Sequence, residues 1–152
     1  MKLSTKGRYG LRAMIDLADF SEEIPQSIAN IAARQSISDS YLEQLMAKLK
    51  KAGLITSIRG AQGGYVLARA SDTISVGDIL RALEGDLSPV KCMGLKGEDG
   101  CQGSNTCVTR NVWKRIDDSI QSAVDSIHLS ELVEDNRKIR LQVECKNMEC
   151  NL

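Results

Sequence analysis

The chain has 152 residues, with 20 Lys/Arg balancing 20 Asp/Glu. That length holds one compact domain with an oligomerisation arm and excludes a second enzyme domain. No apolar run approaches the roughly 20 residues that cross a bilayer and no secretory leader is evident, so the expectation is a cytoplasmic protein with no membrane partner, its cysteines kept as thiols.

The charge is unevenly spread: residues 1–70 carry ten Lys/Arg against six Asp/Glu, residues 71–152 ten against fourteen. A basic front half suits phosphate neutralisation, which depends on local rather than total charge. Between residues 6 and 20, Leu11, Met14, Ile15, Leu17 and Ala18 recur at helical spacing, predicting a core-packing helix with Lys6, Arg8 and Arg12 near its start. Ser21-Glu-Glu-Ile-Pro25 ends it, because the residue before a proline avoids helical angles.

Residues 26–34 predict a short helix facing the core through Ile28, Ile31 and Ala32, and residues 35–38 a turn. Residues 40–52 predict a second helix, with Ser38 or Asp39 as its N-cap. Its stripe of Leu42, Leu45, Met46 and Leu49 leaves Ser40, Tyr41, Glu43, Gln44, Lys48 and Lys51 outside. Helix, short turn and helix make a helix-turn-helix, whose second helix enters a major groove with its N-terminal side chains against base edges. Tyr41 and Gln44 are the expected base readers, with Ser40 in the same turn and Glu43 an acceptor for a cytosine amine. Lys48 and Lys51 are the expected phosphate contacts.

Two β-prone runs, residues 54–58 and 65–68, flank Arg59-Gly-Ala-Gln-Gly-Gly64 and predict a hairpin with a glycine-rich tip, the wing of a winged helix. Arg59, with Gly60 beside it, is the expected minor-groove contact. The loop lacks the Gly-Lys-Ser/Thr ending of a nucleotide-binding P-loop. Ile74, Val76, Ile79, Leu80 and Leu83 predict a further helix ended by Gly85, closing a DNA-binding domain over residues 1–86.

Residues 87–110 form a cysteine-rich loop, with Cys92, Cys101 and Cys107 at C-x8-C-x5-C spacing and glycine at 94, 97, 100 and 103. Thiolates are soft ligands that hold iron-sulfur clusters, and glycines let backbone N–H groups approach cluster sulfurs. Three sulfurs leave a fourth position to another residue, which makes the site labile and suits a sensor. A zinc site or a redox disulfide is the alternative reading. Residues 111–135 open with Val112, Ile116, Ile120, Ala123 and Ile127 on one helical stripe that asks for a second copy of the chain, with Trp113 packed in the interface. His128, the only histidine, begins a short helix over residues 128–133 and has no catalytic partner. Residues 136–152 predict a loosely ordered polar tail carrying Cys145 and Cys150 as spare thiols. The expected fold is therefore mainly α with a small β-hairpin: a winged helix-turn-helix domain plus a long C-terminal dimerisation helix.

Met1-Lys-Leu-Ser-Thr-Lys-Gly-Arg-Tyr-Gly10, Ser40-Tyr-Leu-Glu-Gln-Leu45, Ile58-Arg-Gly-Ala-Gln-Gly-Gly-Tyr65 and the loop ending in Cys107-x5-Trp113 together resemble the IscR-type iron-sulfur regulators of the Rrf-two winged-helix family. The resemblance implies a homodimer without catalytic activity, a 2Fe-2S cluster on Cys92, Cys101 and Cys107, paired half-sites on double-stranded DNA and control of cluster-assembly genes. Two departures stand out. The first cysteine spacing is longer than the C-x5-C usual in that group, and Arg110 stands where those regulators tend to carry a histidine. A guanidinium cannot ligate iron. The fourth position then falls to Glu43, Glu98, Asp99, Cys145, Cys150 or water; Glu43 is favoured, because a ligand on the recognition helix ties cluster occupancy to what that helix reads. A cluster-free repressor governed by thiol chemistry or a protein partner is the rival reading, and a small redox carrier a further one.

Overall fold

The computed structural model describes residues 3–21, 24–90 and 106–149. Helix α1 (Thr5–Phe20) starts at Ser4, whose hydroxyl accepts from the Lys6 N–H at 3.1 Å, and it buries Ala13, Met14, Leu17 and Ala18. Helix α2 (Ile28–Gln35) starts at Ser27, whose hydroxyl accepts from the Asn30 N–H at 3.2 Å, and ends at Ser36 in the left-handed region with φ 54°. Helix α3 (Asp39–Lys51) follows after three residues, with Ser38 at its N-cap.

These three helices close on one apolar core through Met14, Leu17, Ile31, Leu42, Leu45, Met46 and Leu49. Each such side chain contributes about 1.5–3 kcal/mol by leaving water. Strands β1 (Ile55–Ile58) and β2 (Gly64–Leu67) pair antiparallel, Ile55 opposite Leu67 and Ile58 opposite Gly64. The second strand is fixed near its tip end to the segment before α2: the Gln26 N–H donates to the Tyr65 carbonyl at 2.9 Å, and the Tyr65 N–H donates to the Gln26 carbonyl at 2.8 Å.

Helix α4 (Val76–Glu84) opens on a reciprocal capping box between Ser75 and Asp78. It packs closely on α1, where a Cβ on Gly10 would overlap the Leu83 side chain. Helices α5 (Arg110–Ser126) and α6 (Leu129–Glu149) complete the described residues. Their junction is stitched to the start of α4: the Val76 N–H donates to the Ile127 carbonyl and the Leu129 N–H to the Ile74 carbonyl, both at 2.9 Å. The His128 N–H there donates to the Glu131 carboxylate at 3.0 Å, a cap for α6.

The polar tail expected over residues 136–152 is corrected by α6, which runs unbroken through residue 135 to Glu149. Leu129 and Val133 seat its first turns in the main core. One and two turns further on, Arg137 Nε and a terminal nitrogen of Arg140 reach the Asp19 carboxylate at 2.5 and 3.1 Å, with the Arg140 guanidinium 5.3 Å over the Phe20 ring. Arg, Lys, Leu, Gln and Glu between and beyond them are good helix formers, so a docked first half propagates. The helix expected to end at Val133 is the beginning of this longer one.

Candidate nucleic-acid interface and cysteine site

The exposed side of α3 presents Ser40, Glu43 and Gln44, three and four residues apart and hence on one face. Lys51 is exposed in the last turn. At the wing tip Arg59 and Gly60 are both exposed, and Gly60 takes φ 120°, a conformation that only glycine adopts without strain. Recognition face and wing tip thus both stand clear of the core.

Two of the expected DNA contacts also meet other parts of the fold. Tyr41 is half-buried: its ring meets Tyr9 edge-on at 6.1 Å, and its hydroxyl lies 3.2 Å from Thr5 Oγ1. Lys48, expected on a phosphate and exposed, donates from Nζ to the Leu83 carbonyl at 3.2 Å. The last turn of a helix leaves carbonyls without intrahelical partners, and an ammonium from a neighbouring helix satisfies one of them. Lys50, two residues on, ties α3 to the hairpin by donating to Ser57 Oγ at 2.6 Å.

The sequence reading missed the network that sets the angle between α1 and α2. Asp16, only 3% exposed, accepts from Arg34 Nε at 2.9 and 3.1 Å, from an Arg34 terminal nitrogen at 2.6 Å and from Gln35 Nε2 at 2.8 Å. Arg34 also donates to Gln26 Oε1 at 2.9 Å and stacks 4.3 Å over the Phe20 ring. The hydrogen bonds to Asp16 raise the Arg34 pKa, outweighing the effect of burial. The one available signal was an acid placed inside the apolar stripe of α1.

Of the three loop cysteines, Cys107 is described; Cys92 and Cys101 lie outside the described residues, as do Glu98, Asp99 and Cys150. Cys107 is exposed immediately before α5. The Thr109 hydroxyl lies 3.2 Å from its sulfur, and this hydrogen bond holds the thiol below the ordinary cysteine value, helped by backbone N–H groups and the Arg110 charge. A sulfur biased toward thiolate is the donor that a soft metal centre takes. Glu43 and Cys145 are exposed on α3 and α6. Among the described residues, no three His, Cys, Asp or Glu side chains gather as a metal site.

Along α5, Val112, Ile116, Ile120 and Ala123 line a shallow open groove edged by Asn111, Arg115 and Ser119. Val112 and Ile116 remain 53% and 39% exposed. The other side of the helix is held to α4, where Arg81 donates to Gln121 at 2.7 Å and pairs with Asp125.

Residues 3–135, which span the helix-turn-helix, the wing, the cysteine loop and α5, match the Rrf2 family model, described as an iron-dependent transcriptional regulator. The chain belongs to the Rrf2 family. This Rrf2 protein is similar to the HTH-type transcriptional regulator IscR of Aliivibrio salmonicida (strain LFI1238), 46% identical over 136 residues covering 90% of this chain and 79% of the relative. It is also similar to IscR of Vibrio vulnificus, 44% identical over 141 residues covering 93% and 82% of the two chains. Among solved structures, T. potens IscR superposes with a TM-score of 0.71 at 47% identity, covering 90% of this chain and 88% of that one. CymR, the global cysteine regulator of B. subtilis, gives a TM-score of 0.71 at 46% identity, covering 88% and 97%.

This Rrf2 protein is accordingly an IscR-type, DNA-binding transcriptional regulator with a winged-helix fold, and its relatives are regulators rather than enzymes. Among the described residues, no helix is long and apolar enough to cross a membrane.

Proposed function

We propose that this regulator is a homodimer that binds paired half-sites on double-stranded DNA, and that a 2Fe-2S cluster on Cys92, Cys101 and Cys107 decides which operators it occupies, those of cluster-assembly genes among them. Cys107 carries the reading: it is a solvent-facing sulfur, biased toward thiolate by Thr109, at the foot of α5. When bound, the cluster supplies a group that oxidants and iron shortage can remove.

Arg110 offers no lone pair for iron, so Glu43 is the proposed fourth ligand. Its carboxylate shares the α3 face with Ser40 and Gln44. If it held the metal, that carboxylate would leave the groove to its neighbours. Free of a metal, it would place an anion beside base edges and phosphates, disfavouring some sequences and permitting a cytosine contact in others. Ser40, Gln44 and Arg59 carry readout, Lys51 takes a phosphate, and Gly60 lets the wing backbone approach the minor groove. The α5 groove, lined by Val112, Ile116, Ile120 and Ala123, receives the second copy.

The test is iron, sulfide and absorbance of protein purified without oxygen, with Cys92→Ser, Cys101→Ser, Cys107→Ser and Glu43→Ala in parallel. Iron and sulfide in equal amounts, lost with any of the cysteines, support the reading. The equal likeness to CymR favours a second reading, a cluster-free repressor governed by a protein partner or thiol chemistry. Iron-free protein with full operator affinity is the result that selects it.

A further inference from the structure

We infer that α1 positions the recognition helix through Tyr41, with Thr5 and Tyr9 as positioning residues for operator readout. The inference rests on the proposed reading of α3 as the element that meets base edges.

Thr5, Tyr9 and Arg12 follow at four- and three-residue spacing and so share one face of α1. The Thr5 hydroxyl lies 3.2 Å from the Tyr41 hydroxyl, and the Tyr9 ring meets the Tyr41 ring edge-on with centroids 6.1 Å apart. The Arg12 guanidinium stands 5.6 Å over the Tyr9 ring. It also donates from Nε to Gln35 Oε1 at 3.1 Å and from a terminal nitrogen to the Gln35 carbonyl at 3.0 Å. This one face therefore grips the motif on both sides of its turn, at the last residue of α2 and in the first turn of α3. Between the grips, Ser36 is held at φ 54°, which non-glycine residues seldom adopt.

Ser40 adjoins Tyr41 and Gln44 lies three residues beyond it, so a rotation of α3 about its axis swings both across the groove floor. Hydrogen bonds to base edges weaken steeply with misalignment. Contacts that fix Tyr41 against α1 consequently fix the direction in which Ser40 and Gln44 point. The Thr5 and Tyr41 hydroxyls act as one unit whose value is orientation, with no added charge toward DNA.

The experiment uses a duplex selected from a random library by the unmodified protein and a scrambled duplex of equal length, with binding followed by fluorescence anisotropy. The variants are Thr5→Val, Thr5→Ser, Tyr41→Phe, the double variant Thr5→Val/Tyr41→Phe, and Gln44→Ala. Thr5→Val is expected to weaken selected-duplex binding about fivefold, the equivalent of one net hydrogen bond. Thr5→Ser should restore it, and the double variant should bind no more weakly than either single one. Affinity for the scrambled duplex and the salt slope should stay unchanged; the lost hydrogen bond lowers the melting temperature modestly, and loss of fold stability alone would do the same while sparing the ratio of the two affinities. Full selected-duplex affinity in Thr5→Val overturns the inference, as do equal losses on both duplexes or additive losses in the double variant. Gln44→Ala separates the two levels: if it spares selected-duplex binding, the reading of α3 itself falls; if it weakens binding while Thr5→Val does not, only the positioning inference falls.

Discussion

Removing Glu84 should unpin the start of α1 from α4, and the structure sets the size of the effect. The Glu84 carboxylate accepts from the Ser4 N–H at 2.9 Å, from the Ser4 hydroxyl at 2.7 Å and from the Gly7 N–H at 2.8 Å. These are donors at a helix N-terminus, where no intrahelical acceptor exists and a negative charge is favoured. At about 1 kcal/mol net per bond, three bonds give about 3 kcal/mol; water at this half-exposed site recovers part, so Glu84→Ala should cost about 2 kcal/mol. Glu84→Gln keeps an acceptor oxygen and loses the charge, a cost of roughly 0.5–1 kcal/mol.

Partial burial works to raise the Glu84 pKa, but the Ser4 hydroxyl, the Gly7 and Ser4 N–H groups and Lys6 outweigh it and hold the pKa below the ordinary carboxylate value. A carboxylate depressed on folding adds stability that is complete above the unfolded glutamate value of roughly 4.3 and is lost as the pH falls through the folded one. Urea unfolding followed by circular dichroism at neutral pH and at several pH values below 5 provides the assay. The gap between the unmodified protein and Glu84→Gln should be present at neutral pH and shrink on acidification. Equal midpoints at neutral pH, or a gap that does not shrink with acid, would refute the reasoning.

Asp16→Ala removes the acceptor that Arg34 and Gln35 share, water re-solvates the Arg34 guanidinium in part, and the change should cost about 2 kcal/mol in urea unfolding. Ile116→Glu, on the exposed α5 stripe, should give a species of single-chain mass by analytical ultracentrifugation with an unchanged circular dichroism spectrum, and should weaken binding to a paired-site operator far more than to a half-site. Simultaneous Arg137→Ala and Arg140→Ala should free Asp19 and fray α6, seen as amide exchange protection lost beyond Asn136 while α1 to α4 keep theirs.

What the sequence determined by itself was local. Apolar residues at period 3.6 define α1, α2, α3, α4 and α5, and two β-prone runs around a glycine-rich tip define the hairpin, because periodicity belongs to a segment and needs no partner. The exposed face of α3 followed by subtraction, since Ser40, Glu43 and Gln44 are what the stripe of Leu42, Leu45, Met46 and Leu49 leaves outside. The family was legible too, carried by short runs of residues in combination and matched over residues 3–135.

Tertiary structure alone decided where the polar side chains of those helices go. Lys48 turns to the open carbonyl of Leu83, 35 residues away. Tyr41 sets its ring edge-on to Tyr9, and Asp16 gathers Arg34 and Gln35. Helix α6 persists past Val133 because Asp19, 118 residues from Arg137 and 121 from Arg140, meets both arginines. A charged residue outside an apolar stripe has the same local pattern whether it faces solvent, DNA or another helix; only the fold brings the acceptor that chooses among them.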